Sequence, residues 1–422
     1  MNDPSRIGFI STRLAGTDGV SLETRKWVQV LNRLGHESFY FAGESEWPQE
    51  RSYVIPEAHF AHPEVFQLNT DLFDDYKRDP ESSRKIETLK NHLKNHLHNF
   101  LRKFEPTVVI VENALSLPMN VPLGLALTEL IAETGIPTIA HHHDFTWERQ
   151  RYSISAAEDY LRAAFPPTLH HVRHVVINSF AESQLALRTG LSSVLIPNVM
   201  DFDDPPPEPD RYADDLRPEL GIGQDECLLL QPTRIVPRKR IEKAIELARR
   251  MKTESVLVIT HHSGDEGSKY EEYLRNYAHL MSVKVLFAAD RFAPERGQTE
   301  TGSKVYSLVD GYYKADLVTY PSRVEGFGNA FLETIYYGRP IVMSDYEIFK
   351  TDIRPKGFKI IDFTDFITDD CVKRAEEVLR DPEIAEEMVA HNYEIGCRYY
   401  SFRMLETRLK ALLNESLGYD QF

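Results

Sequence analysis

Cysteine is scarce in this chain, with three in 422 residues: Cys227, Cys371 and Cys397. They are odd in number and too far apart for a C-x-x-C pair, which excludes a disulfide scaffold and a zinc ribbon. Positive charge is also short, since 49 Lys and Arg face 65 Asp and Glu and leave a formal net charge of −16. A surface that acidic repels phosphate backbones and anionic lipid, so nucleic acid is excluded as an expected partner. No apolar run approaches the roughly 18 to 20 residues that span a bilayer, and no transmembrane segment is expected. The opening Met1-Asn2-Asp3-Pro4-Ser5-Arg6 lacks the basic start and apolar stretch of a secretion signal. Short-period repeats and low-complexity tracts are missing too. These absences leave a soluble protein of a reducing compartment, expected in the cytoplasm. Its length, at about 150 residues per domain, suggests two or three domains.

What is present is an α/β pattern, met twice. Ile7-Gly8-Phe9-Ile10-Ser11 reads as a buried strand running into a polar, glycine-containing loop. Leu22, Trp27, Val30, Leu31 and Leu34 follow at helical spacing with Gly35 behind them, and Phe39 to Gly43 reads as the next strand. Strand, helix, strand in that order implies a parallel sheet. Val108 to Val111, Thr138 to Ala140, Val175 to Asn178 and Val194 to Ile196 continue it. The acidic, proline-rich run Asp203 to Asp210 suits a stiff linker between domains. A second series then begins at Cys227 to Gln231 and continues through Val256 to Thr260, Val283 to Phe287, Leu317 to Tyr320 and Pro340 to Met343. Glu295 to Ser303 is polar with two glycines and reads as a mobile loop, and Tyr399 to Leu413 as a terminal amphipathic helix. The expected architecture is two doubly wound, Rossmann-like parallel-sheet domains, residues 1–197 and 198–398, facing a central cleft. The C-terminal stretch, residues 399–422, is expected to pack back on the first. Ligands of such sheets bind at the carboxyl ends of the strands.

Three clusters at those strand ends carry chemistry. The densest is Pro321 to Glu333, which follows a strand and opens a helix. Glycines beside helix amides make an anion site suited to a diphosphate. Glu325 is expected at the helix start and Glu333 two turns on along the same face, where both can accept hydrogen bonds from hydroxyls. The second cluster, Thr233 to Arg240, gathers Arg234, Arg238, Lys239 and Arg240 after a strand of a net-acidic protein, as an anion requires. The third is His141-His142-His143-Asp144. Alternation in an extended chain lets one or two of these imidazoles face a single ligand. No HxxxH or carboxylate spacing supports a metal there. Asp201-Phe202-Asp203 imitates a DxD metal motif but lies in the proline-rich run, so no metal site is expected.

In combination these residues resemble the retaining GT-B glycosyltransferases of glycosyltransferase family 4 (group 1), over essentially the whole chain. Glu325 and Glu333 match the family's E-x7-E element, Arg234 and Lys239 its cationic pair, and Asp18-Gly19-Val20-Ser21 its glycine loop. Leu34-Gly35-His36-Glu37, Ile196-Pro197-Asn198 and Tyr400-Ser401-Phe402 match further landmarks. Two departures stand out: Thr233 replaces the usual Gly before the arginine, and Arg238-Lys239-Arg240 replaces Glu-Lys-Gly.

The resemblance implies an enzyme that moves a hexosyl group, with retention, from a nucleotide-diphosphate sugar such as a UDP-sugar or GDP-mannose. The acceptor it implies is soluble and anionic, a phosphorylated or carboxylated sugar or glycerate. No cofactor is implied beyond the donor substrate. Arg234, Lys239 and the amides near Gly328 to Ala330 would neutralise the leaving diphosphate without a metal. Glu325 would bind hydroxyls of the donor sugar and Glu333 the ribose, with Gly19, Gly326, Phe327, Gly328, Asn329 and Ala330 also at the donor. Either His142 or His143 would be the family's histidine that approaches the donor sugar. Arg13, Arg149 and Arg151, in two loops at strand ends, are the candidates for an anionic acceptor. A peripheral membrane transferase acting on lipid or polysaccharide, and a GT-B sugar phosphorylase, are the alternative readings.

Overall fold

The computed structural model describes residues 4–263 and 268–418. The chain divides into two compact units, Met1–Val199 with Phe402–Phe422 and Met200–Ser401.

The first unit carries seven strands: β1 (Arg6–Ile10), β2 (Glu37–Ala42), β3 (Ser52–Val54), β4 (Val108–Glu112), β5 (Thr138–His142), β6 (Val172–Val176) and β7 (Ser193–Leu195). All pairs are parallel, in the order β3-β2-β1-β4-β5-β6-β7. The direction of winding reverses between β1 and β4, which makes their carboxyl ends the switch point of the sheet. Strands as apolar as Val108–Val111 are fully buried, as a parallel sheet covered on both faces requires. On one face the Gly19–Arg33 helix buries Trp27, Val28, Val30 and Leu31. Phe402–Leu417 joins the same cluster through Phe402, Leu405, Leu409, Leu412 and Leu413. That helix differs from the expected one. Tyr399 and Tyr400 end the preceding Pro382–Tyr400 helix, and extended backbone at Ser401 separates the two. Residues 419–422 of the expected C-terminal stretch lie outside the described residues.

The second unit has a six-stranded parallel sheet in the order β10-β9-β8-β13-β14-β15. Its strands are β8 (Cys227–Gln231), β9 (Ser255–Ile259), β10 (Lys284–Phe287), β13 (Leu317–Tyr320), β14 (Ile341–Ser344) and β15 (Ile361–Phe363). Two polar segments depart from expectation. The stretch from Glu295 to Ser303 is not a free loop but enters a short antiparallel hairpin, β11 (Gly297–Gln298) with β12 (Lys304–Val305). Arg296 binds Asp210 and Asp310, and Lys304 binds Asp215, so the hairpin is pinned at its base. The proline-rich run is likewise no free linker. Tyr313 and Tyr336 donate their hydroxyls to the carbonyls of Pro207 and Asp204, inside the second unit. Both units have the doubly wound, Rossmann-like form expected of GT-B. No helix among the described residues is long and apolar enough to cross a membrane.

Candidate active site

The second unit's site begins where β8 ends. Gln231 is buried, donates to Thr233 Oγ1 at 2.7 Å and accepts from Thr319 Oγ1 at 2.8 Å. The departure from glycine at Thr233 is thereby explained, since its hydroxyl satisfies a buried amide that ties β8 to β13. Arg234 comes next and is exposed, without an ion-pair partner among the described residues. The turn Pro237–Lys239 then returns the chain, and Lys239 is buried with its ammonium 5.2 Å from the centre of the Tyr320 ring.

After β13, the loop that bears Glu325 is stitched to that turn. Arg323 N donates to Arg238 O at 2.8 Å, and Arg238 donates to Val324 O and to Glu325 Oε2, each at 3.2 Å. Lys239 donates to the other oxygen of Glu325. Burial pushes the Glu325 carboxyl up, but the Lys239 and Arg238 charges outweigh it and hold the group below its usual range. Burial, followed by the charges of Arg234 and Lys239, brings His261 down to about 4.

The E-x7-E element therefore has a different shape from the expected one. Glu325 lies in the loop and only Glu333 is on the helix, which runs Asn329–Tyr336. The helix starts late because Gly328 takes φ +117°, and a Cβ there would stand 2.6 Å from the Tyr346 hydroxyl. That hydroxyl donates to Phe327 O at 2.6 Å. Phe327 itself is core, with its ring edge-on to Tyr400 at 5.3 Å, so its side chain is not a donor contact. Gly326 is exposed, and Asn329 and Ala330 open the helix half-buried. Glu333 accepts from the buried Tyr312 hydroxyl at 2.9 Å.

In the first unit the three histidines separate as alternation requires. His142 points to one face, where its Nε2 meets His174 Nδ1 at 2.9 Å and its ring packs on Phe145. Both imidazoles are buried and held neutral: burial keeps His142 well below its ordinary value and His174 at about 4. His141 and His143 take the other face beside Glu112, the last residue of β4. Glu112 Oε2 lies 3.1 Å from His143 Nε2 in hydrogen-bonding alignment, and 2.9 Å from His141 Nδ1 outside it. Burial raises the Glu112 carboxyl, but the imidazoles overcome this and hold it at about 2. For His143, burial is likewise outweighed, by Glu112 first and then by Glu23 and Asp144, and its value rises. The His141 ring is stacked on Trp27 at 4.1 Å, and burial lowers its value. Donor atoms of Glu112, His141 and His143 converge within 4.8 Å, as they do at some metal sites. The His-tract spacing did not reveal this group because Glu112 comes from another strand. The aligned 3.1 Å contact is that of a carboxylate accepting directly from one imidazole, His143, with His141 Nδ1 close by at 2.9 Å but unaligned.

The arginines and Gly19 are engaged locally. Arg13 pairs with Asp18 at 2.8 Å and lies over the Phe60 ring, Arg149 pairs with Asp144 at 2.6 Å, and Arg151 lies over Tyr152. Gly19 opens its helix, yet the Asp18 carboxylate already accepts from the Val20 and Ser21 amides, so a phosphate there would have to displace it. Sequence reasoning passed over Glu112, Tyr312 and His261. Glu112 was visible as the one charge closing an otherwise apolar strand, whereas nothing in sequence singles out Tyr312.

A family model described as glycosyl transferases group 1 matches residues 213–394. Mannosylglucosylglycerate synthase of Petrotoga mobilis is 34% identical over 84% of this chain and 86% of its own. The protein of the same name from Thermotoga maritima is 32% identical over 95% of this chain and 98% of its own. Among solved structures, a glycosyltransferase from Rickettsia africae superposes with a TM-score of 0.69 at 11% identity, covering 99% of both chains. The chain is a glycosyltransferase and belongs to the glycosyl transferases group 1 family.

Proposed function

We propose that the chain transfers a hexosyl group, with retention and without a metal, from a nucleotide-diphosphate sugar to a soluble acceptor that contains glycerate. The observation that carries the donor half is the cationic turn of Arg234, Arg238 and Lys239 held against Glu325 at the carboxyl edge of β8 and β13. As the bond to the diphosphate breaks, negative charge gathers on the leaving group. Arg234 and Lys239, with the amides around Gly328, Asn329 and Ala330, are pre-placed to stabilise it. Glu325 keeps acceptor capacity beyond its two ion pairs and is assigned to hydroxyls of the donor sugar, and Glu333 to the ribose.

The choice between the two histidines falls on His143. His142 is enclosed with His174, whereas His143 lies just past the end of β5 with only one ring nitrogen occupied by Glu112. The relatives' name supports a glycerate-containing product and hence a carboxylate on the acceptor, for which Arg13, Arg149 and Arg151 are the assigned partners. A cytoplasmic enzyme fits this chemistry.

The test is a grid of UDP-glucose, GDP-glucose and GDP-mannose against glucosylglycerate, glycerate and a neutral glucoside, with the anomeric configuration of the product read by NMR. An α-linked product on the glycerate-containing acceptors alone is expected. Transfer to the neutral glucoside at an equal rate refutes the anionic acceptor, and an inverted product refutes retention.

A further inference from the structure

We propose that Glu112 is a positioning residue for the transfer: it holds His143 by Nε2, so that the imidazole works through Nδ1. The inference rests on the reading that His143 serves the donor sugar.

The geometry is specific on each point. A carboxylate can only accept, so the 3.1 Å contact fixes a proton on His143 Nε2 and turns that nitrogen away from any substrate. Nδ1 is the nitrogen left over. The backbone is fixed by the neighbouring residue. Asn113 sits at φ +62°, and its Oδ1 accepts from both His143 N, at 3.0 Å, and Asp144 N, at 3.1 Å. Asn113 N in turn donates to His141 O at 2.9 Å. Glu112 at the end of β4 and Asn113 just after it thus set the ring and the main chain of the residue that follows β5.

The surroundings favour the arrangement. The charged groups that act on His143 are Glu112 from β4, Glu23 from the Gly19–Arg33 helix and Asp144 beside it, while the His141 imidazole of β5 lies on the same face and His142 on the other. Glu23 is already paired with Lys26 and accepts from Val199 N, so Glu112 is left as the carboxylate in direct contact. Trp27 stacks on the neighbouring His141 ring at 4.1 Å. A buried carboxylate at the end of an apolar strand is costly unless it is paired, and the His143 Nε2–H supplies that partner.

A double-mutant cycle tests the proposal: E112M, E112Q, H143A and E112M with H143A, each read as kcat and donor KM. H143A is expected to lower kcat about a hundredfold, and E112M about tenfold or more, with donor KM within about twofold. The double variant should be no slower than H143A alone, because Glu112 acts only through that ring. E112Q keeps an oxygen to accept from Nε2 and should recover most of the E112M loss. If E112M does not fold, E112L replaces it in the cycle, with the melting temperature as the check on folding. Multiplying losses in the double variant, wild-type kcat in the variant that lacks the accepting oxygen, or an E112Q as slow as that variant, overturns the positioning role. Wild-type kcat in H143A removes the underlying reading of His143 whatever Glu112 does. Stoichiometric zinc in the purified protein, lost in E112Q, also overturns it and makes the cluster a metal centre.

Discussion

Tyr312 donates its hydroxyl to Glu333 at 2.9 Å, across 21 residues of sequence, and is itself fully buried. Tyr337 stacks on the Tyr312 ring at 5.1 Å. The second carboxylate of the E-x7-E element is thus oriented by a phenol rather than by its helix alone. Removing that hydroxyl takes away one contact that orients the carboxylate. Tyr312→Phe is expected to raise the donor KM about tenfold, the cost of losing a hydrogen bond to a charged group, and to leave kcat nearly unchanged. Initial rates over a donor titration check this. A loss confined to kcat would separate Glu333 from ground-state binding of the donor.

Arg234→Ala and Lys239→Ala should each slow turnover by about a hundredfold or more, since each removes charge that the proposed function assigns to the leaving diphosphate. The two have different side effects. Lys239 is buried against Glu325, so its loss leaves that carboxylate with Arg238 as its remaining ion pair and lowers stability as well; Arg234 is exposed, and its loss should not. Turnover and melting temperature measured on both variants resolve the pair. Near-wild-type rates in both would show that the leaving group is stabilised elsewhere.

EDTA is expected to leave most of the activity intact. In the proposed mechanism cationic side chains and helix amides take the role that a divalent ion fills in other transferases. Complete loss on chelation, restored by Mg²⁺ or Mn²⁺, would assign the leaving-group charge to an ion.

Acid should weaken the first unit through His142 and His174. Burial lowers His174 from 6.5 to about 4 in the folded chain, so between those two values the unfolded chain binds the proton and the folded one does not. Stability from this group is full above about pH 6.5, falls as pH drops towards 4, and levels off below, a loss of about 3 kcal/mol for His174. All three tryptophans, Trp27, Trp47 and Trp147, belong to the first unit, so denaturation followed by their fluorescence reads it directly. His174→Gln should flatten the slope between pH 6.5 and 4. An unchanged slope would move the acid sensitivity to another group.

Leu409→Ala removes a side chain buried completely among Trp27, Val28 and Leu31. A cost of about 2–5 kcal/mol is expected, seen first in tryptophan fluorescence. Equal loss at the second unit's tyrosines would mean the two units unfold as one.

Much of this was legible in the sequence, for reasons that differ by element. Continuous apolar runs such as Val108–Val111 and Leu228–Leu230 have little choice but a buried parallel strand. The position of Glu325 was misjudged because the helix start depends on Gly328 meeting Tyr346, a contact that local sequence does not display. The hairpin near Glu295 was hidden for a similar reason. Its anchors, Asp210, Asp215 and Asp310, are polar residues brought in from other segments. Alternation showed that His142 and His143 face opposite ways. Which face holds the carboxylate waited on the pairing of β4 with β5, where Glu112 stands opposite His141.

The helix Phe402–Leu417 belongs to the first unit but follows the whole of the second in the chain. During synthesis, then, the first unit cannot close when its own contiguous stretch to Val199 has been made, because one of its walls is encoded after Ser401. Until Leu405, Leu409 and Leu412 arrive, the face carrying Trp27, Val28 and Leu31 stays wet. The unit whose translation begins first is therefore the one completed last.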